Sequence, residues 1–194
     1  MKKIFLIIFM FILIFLIYYL NLDQKVYVLS IGDHFIVESD YHKDIDNYLG
    51  KKLEKSVIYS NNGDYRIIDL INDIKDNKKF TYKNNQYTIN NTLIKADIIF
   101  ISIGMNDLRY NKNNNNYDYV DEVISDLDIL LKLIRKYSKE KIYIFNYYNF
   151  DNDFNNYINE RLKKIADRYN IGVISLDSYD NIGKTIKKSL KEFY

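Results

Sequence analysis

Residues Ile98-Ile99-Phe100-Ile101-Ser102-Ile103 form a run without charge that stops at Gly104-Met105-Asn106-Asp107. A mostly β-branched run of this length does not alternate between apolar and polar, so it reads as a strand buried on both faces, inside a parallel sheet. Such a strand needs cover on both sides, and the chain must supply it. Polar groups just past the carboxyl end of such a strand lie where open α/β sheets bind their ligands. Gly, Asn and Asp are also ordinary loop residues. The tail therefore marks a site only if further polar clusters fall in register with it.

The rest of the chain provides them. A first strand, Lys25-Val26-Tyr27-Val28-Leu29-Ser30-Ile31, ends at Gly32-Asp33-His34. Tyr41, Ile45, Tyr48, Leu49 and Leu53 have helical spacing, which predicts a helix over about 40–55. A short strand, Val57-Ile58-Tyr59, closes on Ser60-Asn61-Asn62-Gly63-Asp64, which is turn chemistry. A helix is predicted over 67–74, followed by an aromatic and polar insertion over 76–91 that holds at most a short hairpin. The central strand covers 97–103, and Asn111–Asn116 is a low-complexity loop. Helix 117–137, strand 141–147, helix 152–169, strand 172–176 and helix 182–193 complete the pattern. Five strands alternating with helices predict a three-layer α/β/α sandwich with a mostly parallel sheet. Right-handed crossovers then bring the Gly32, Gly63 and Gly104 clusters to one rim.

Composition narrows the function. With 28 Lys and Arg against 26 Asp and Glu, the net charge of +2 gives no electrostatic case for nucleic acid. The absence of cysteine excludes disulfides, thiolate zinc sites, a cysteine nucleophile and a lipoprotein-type anchor. Asp33, His34, Glu38 and His42 have no recognised metal-ligand spacing, so neither a metal nor another cofactor is expected. His42 reads as a solvated helix residue. The lack of proline and the wealth of Asn, Lys, Ile and Tyr fit a genome-wide codon bias.

Location is written at the N-terminus. Lys2 and Lys3 precede an uncharged apolar run from Ile4 to Leu20, long enough to span roughly 25 Å of bilayer. The run is apolar all round, unlike a surface helix, and no Ala-x-Ala-like cleavage site follows it. Residues 1–24 are therefore expected to be a retained signal anchor, a single transmembrane helix, with 25–194 as the globular domain. The positive flank places the N-terminus in the cytoplasm and the domain outside the cell membrane.

In order and context the three clusters resemble the SGNH (GDSL) hydrolase superfamily. Gly32-Asp33 matches its Gly-Asp-Ser block, Gly63-Asp64 its second glycine block, and Gly104-x-Asn106-Asp107 its Gly-x-Asn-Asp block. The resemblance covers residues 25–194. It implies a flavodoxin-like five-stranded sheet and an ester hydrolase ancestry. It also implies that the backbone N–H groups of residue 34 and Gly63, with the Asn106 amide, form an oxyanion pocket. Gly32, Asp33, Gly104 and Asp107 would support that pocket.

The chain departs from the family at the reacting groups. Position 34, the nucleophilic serine of the family, is His34. The late Asp-x-x-His is Asp177-Ser178-Tyr179-Asp180, and His34 and His42 are the only histidines. His34, Asp177 and Asp180 thus occupy degenerate triad positions. A serine acts as a nucleophile only with a base in reach. The expectation is a membrane-anchored, catalytically degenerate SGNH-type protein that binds an acyl- or acetyl-bearing envelope ligand. The alternative is an active esterase or acetyl-hydrolase of envelope glycans or lipids with rearranged groups.

Overall fold

The computed structural model describes residues 8–15, 25–33, 41–61, 63–111, 118–148, 152–176 and 182–191. Strand β1 (Val26–Gly32) lies next to the middle of the sheet, and its seven residues are all buried. It pairs in parallel with β2 (Leu53–Ser60) on one side and β5 (Ile98–Ser102) on the other. Strands β6 (Lys141–Phe145) and β7 (Gly172–Ile174) extend the sheet to the order β2-β1-β5-β6-β7, again in parallel. Leaving aside a separate hairpin of β3 (Lys79–Tyr82) and β4 (Asn85–Thr88), this is the flavodoxin-like strand order, with its switch point between β1 and β5. Gly32 is level with both Ser60 and Ser102. The three strands therefore deliver their polar clusters to one rim.

Both faces of the sheet are apolar because both are covered. Val28, Phe100, Tyr143 and Phe145 pack against helix α1 (Tyr41–Leu49) and helix α7 (Ile182–Lys191) through Tyr41, Ile45, Ile186 and Leu190. Leu29, Ile31, Ile99, Ile101, Ile142 and Ile144 form the opposite face. That face is covered by α2 (Ile67–Lys75), α3 (Ile89–Lys95), α5 (Asp118–Tyr137) and α6 (Asn152–Arg168). Each buried aliphatic side chain contributes on the order of 1.5–3 kcal/mol. The large apolar count thus becomes a two-sided core.

Several elements differ from the sequence reading. The helix expected over 40–55 stops at Leu49, because Gly50 takes φ +49° and closes it, the usual task of a glycine just past a helix end. A 3₁₀ turn, Gly50–Lys52, follows, and Leu53 already belongs to β2. The 76–91 insertion is a real hairpin. Lys83 and Asn84 both have positive φ, as a two-residue type I′ turn requires, and Phe80 stacks on Tyr87 at 5.4 Å. The short helices α3 and α4 (Met105–Asn111) have no counterpart in the sequence pattern, since seven residues are too few to display a period; α3 begins within the 76–91 insertion and runs past it, and α4 starts inside the Gly104 cluster.

Arg135, in the last turn of α5, gathers four carbonyls with one guanidinium. It donates to Tyr169 O at 2.9 Å, Asn170 O at 2.7 Å, Glu140 O at 2.8 Å and Ser138 O at 3.3 Å. The ends of α5 and α6 and the start of β6 are thereby fastened to one another.

Residues 8–15 are helical, and their side chains are exposed, from 48% at Leu13 to 70% at Phe11. They form no part of either core cluster. Among the described residues no helix is long and apolar enough to cross a membrane. The apolar run Ile4–Leu20 continues on both sides of them, outside the described residues.

Candidate functional site

The rim is built on glycines that turn the chain sharply. Past Gly32 (φ +148°), the Asp33 N–H donates to Ser102 O at 2.8 Å, and Ser102 Oγ donates to Asp33 Oδ1 at 3.3 Å. The ends of β1 and β5 are tied twice by this exchange, and Asp33 is buried in the process. Gly104 (φ +101°) is a glycine for two reasons. Its backbone lies in the left-handed region, and a Cβ there would collide with the Tyr147 hydroxyl and meet Ile67 Cδ1 at 3.3 Å. Gly63 (φ +81°) faces open space, so conformation alone sets its identity.

Asn106 and Asp107, side by side on α4, clasp the second cluster to the third. The Asn106 amide donates to Tyr65 O at 2.9 Å and to Gly63 O at 3.2 Å, the latter bond being exposed. Asp107 Oδ2 accepts the Ile67 N–H, the first of helix α2, at 3.2 Å. Burial pushes the Asp107 carboxyl above its ordinary range, although the Ile67 N–H and the nearby Arg66 charge pull it back. Beneath the clasp the buried Tyr147 hydroxyl donates to Ile103 O at 2.9 Å. Burial raises its pKa well above the ordinary value, and Asp107 and Asp33 add to the effect. Tyr147 is therefore a neutral donor, not a phenolate.

The loop that carries Gly63 is held from below. Tyr65 and Tyr59 hydroxyls both donate to Asp73 Oδ2, at 2.7 Å and 2.5 Å, and Lys78 Nζ joins them at 3.0 Å. Burial alone would raise the Asp73 pKa, but these three donors outweigh it and hold the carboxylate below its usual range.

Between the second and third clusters an open cleft of about 530 Å³ is lined by Asp64, Arg66, Asp69, Asn106 and Arg109. Every lining side chain is charged or an amide. A smaller hollow of about 330 Å³ lies at the opposite end, where β6 and β7 begin, lined by Lys139, Lys141, Asp167 and Gly172 among others. None of the rim clusters reaches it.

The structure thus brings together Gly32, Asp33, Gly63, Gly104, Asn106 and Asp107. His34, Asn62, Asp177 and Asp180 lie outside the described residues. His42 sits half-exposed on α1, and the described residues hold no group of three His, Cys, Asp or Glu placed for a metal. Sequence reasoning missed Tyr147, Arg66 and Arg109. Tyr147 stands two residues past the end of β6, at the same rim, and that position was its available signal. Arg109 follows Asn106 by three residues, the spacing that puts two side chains on one side of a helix.

Solved structures share this architecture. An acetyl xylan esterase, AlAXEase, superposes with a TM-score of 0.56 at 16% identity, over 86% of this chain and 84% of that one. The lipase Lip_vut3 from a goat rumen metagenome gives 0.61 at 15% identity, over 85% and 97%. A protein of the G-D-S-L family from Desulfitobacterium hafniense gives 0.57 at 12% identity, over 84% and 99%. No protein-family model and no curated protein sequence matches the chain. The domain is a parallel α/β/α sandwich. Its fold is that of the SGNH/GDSL hydrolases.

Proposed function

We propose that this chain is a membrane-anchored, extracytoplasmic SGNH/GDSL-hydrolase-like protein whose rim cleft binds an acyl- or acetyl-bearing polar ligand of the cell envelope without turning it over. The observation that carries the reading is the lining of the cleft. Two carboxylates, two guanidiniums and one amide suit a hydroxyl-rich glycan bearing small esters, and they offer no apolar channel to a long acyl chain. The acetyl xylan esterase of the same fold supports that substrate class by analogy. The exposed, longer bond from Asn106 to Gly63 O is the one for which a ligand oxygen competes.

Catalytic degeneracy rests on the sequence. Position 34 carries histidine in place of serine, and Asp180 stands where the late histidine belongs. Ser102, the described hydroxyl nearest the switch point, is buried and donates to Asp33, so it is not a poised nucleophile. The anchor reading rests on Ile4–Leu20 and on the exposed apolar side chains of residues 8–15.

A fluorophosphonate probe tests the chemistry, because it labels only an activated serine. The purified chain stays unlabelled and leaves unactivated acetyl esters intact, yet binds acetylated oligosaccharide in calorimetry. His34→Ser alone does not create activity, since the base is still missing. Labelling of the unmodified protein that disappears on changing one of its own serines overturns the degenerate reading and favours an active esterase. Membrane fractionation tests the anchor, and release of a soluble species trimmed near residue 20 refutes it.

A further inference from the structure

The end of the sheet opposite the cleft carries the other notable surface. Lys51, Lys52 and Lys55 lie at the start of β2, and Lys75, Lys79 and Lys83 lie on the neighbouring turn and hairpin; all six are exposed. The exposed acids in the same two segments are Glu54 and Asp76. The two segments are contiguous, since Lys55 Nζ lies 4.5 Å from the centre of the Tyr87 ring in β4. A lysine-rich composition explains the number of these residues but not their gathering. The cleft rim, by contrast, mixes Asp64 and Asp69 with Arg66 and Arg109.

The chain enters the domain at this same patch. Lys25, which leads into β1, donates from Nζ to Lys51 O at 2.8 Å. Only the short stretch Asn21–Gln24 separates Lys25 from the apolar run. On the anchored reading above, the bilayer is therefore within a few residues of these lysines. The hairpin adds half-buried Tyr82 and Tyr87, with Lys83 Nζ 5.2 Å from the Tyr82 ring centre. Lysine stems and tyrosine rings are the side chains that suit the headgroup layer.

We infer that the lysine patch formed by residues 51–55 at the start of β2 and by the 75–88 hairpin on its flank is a docking face for the phosphate groups of anionic lipid headgroups. Each lysine at such a surface strengthens association about fivefold, and salt screens the effect. Docked this way, the domain stands upright on the membrane. The cleft then lies beyond the carboxyl end of β2, away from the lysines at the start of that strand.

The chain has no cysteine, so single cysteines report position without background. Full-length protein carrying Thr81→Cys or Asn156→Cys is reconstituted in vesicles of phosphatidylcholine alone or with added phosphatidylglycerol. Reaction with a membrane-impermeant maleimide is then timed. The expected result is severalfold slower labelling at position 81 when phosphatidylglycerol is present, with position 156 unchanged. High salt, or Lys51, Lys55, Lys79 and Lys83 changed together to Gln, restores the fast rate. An unchanged melting curve for the Gln variant shows that its fold is intact. Equal rates at position 81 in both vesicle types overturn the proposal, as does protection at position 156 instead. Carbonate extraction separates this test from the anchor. A chain that washes out of the vesicles refutes the anchor, whereas lipid-dependent protection at position 81 before the wash still supports the docking face.

Discussion

The two ends of the sheet are held in opposite ways. At the carboxyl end the side chains bond to backbone: Asn106 to Gly63 and Tyr65, Asp107 to Ile67, Tyr147 to Ile103. Acids are buried there, and glycines adopt conformations that other residues resist. At the start of β2 and on the hairpin, by contrast, Lys55 and Lys83 are exposed and lie against tyrosine ring faces. A surface made of exposed charge is inexpensive to alter, because water already solvates each group. A rim made of buried polar bonds is not, because each removal orphans a partner. Stability is thus concentrated where the ligand is proposed to bind, and charge where the membrane is proposed to lie.

The contrast breaks most severely at Gly104. Gly104→Ala forces a Cβ into the Tyr147 hydroxyl at φ +101°, and about 3 kcal/mol or more is lost. Tyr147→Phe costs about 1 kcal/mol alone but removes the colliding atom. The double variant should therefore melt higher than Gly104→Ala, and a double-mutant cycle by thermal melting measures the coupling.

Asp107 gives the next effect. Asp107→Ala leaves the Ile67 N–H without its acceptor and costs about 1–3 kcal/mol. Asp107→Asn keeps an acceptor and removes a buried charge. Because the folded pKa is raised above the ordinary 3.8, the parent's contribution from this group is fully present below that value. It is lost as pH rises through the folded pKa. The Asn variant therefore gains on its parent as pH is raised from acid to neutral, and melting curves across that range check the sign.

Asn106→Ala is smaller, about 1–2 kcal/mol, read as a melting point lowered by about 2–4 °C per kcal/mol. It also abolishes binding of acetylated oligosaccharide, which a purely structural tie would not require. At the other end, Lys79→Gln and Lys83→Gln stay within about 0.5 kcal/mol of the parent. A larger loss there would dissolve the contrast between the two ends.

Periodicity made the layers legible, because covering a sheet on both faces forces long apolar runs such as 98–103 and regular stripes such as that of helix α5. Boundaries were less legible. Leu53 fits the stripe of the first helix, yet the positive φ of Gly50 ends that helix and hands Leu53 to a strand. Among site residues, the glycine turns announced themselves through residue type. Tyr147 did not, because a tyrosine past a strand looks like any other of the 20 in this chain. Its partner is a backbone carbonyl 44 residues away, which no local pattern encodes.

The guanidinium of Arg135 carries a consequence for the order of events. Two of its four carbonyls belong to residues 34 and 35 positions further along the chain. A polypeptide that emerges from its N-terminus cannot close this latch until Asn170 has appeared, when β7 and helix α7 are, among the described elements, still to be made. Up to that moment the end of α5 and the start of β6 share a charged fastener with nothing to engage on its far side. The sheet can grow from β2 to β6, but it locks late.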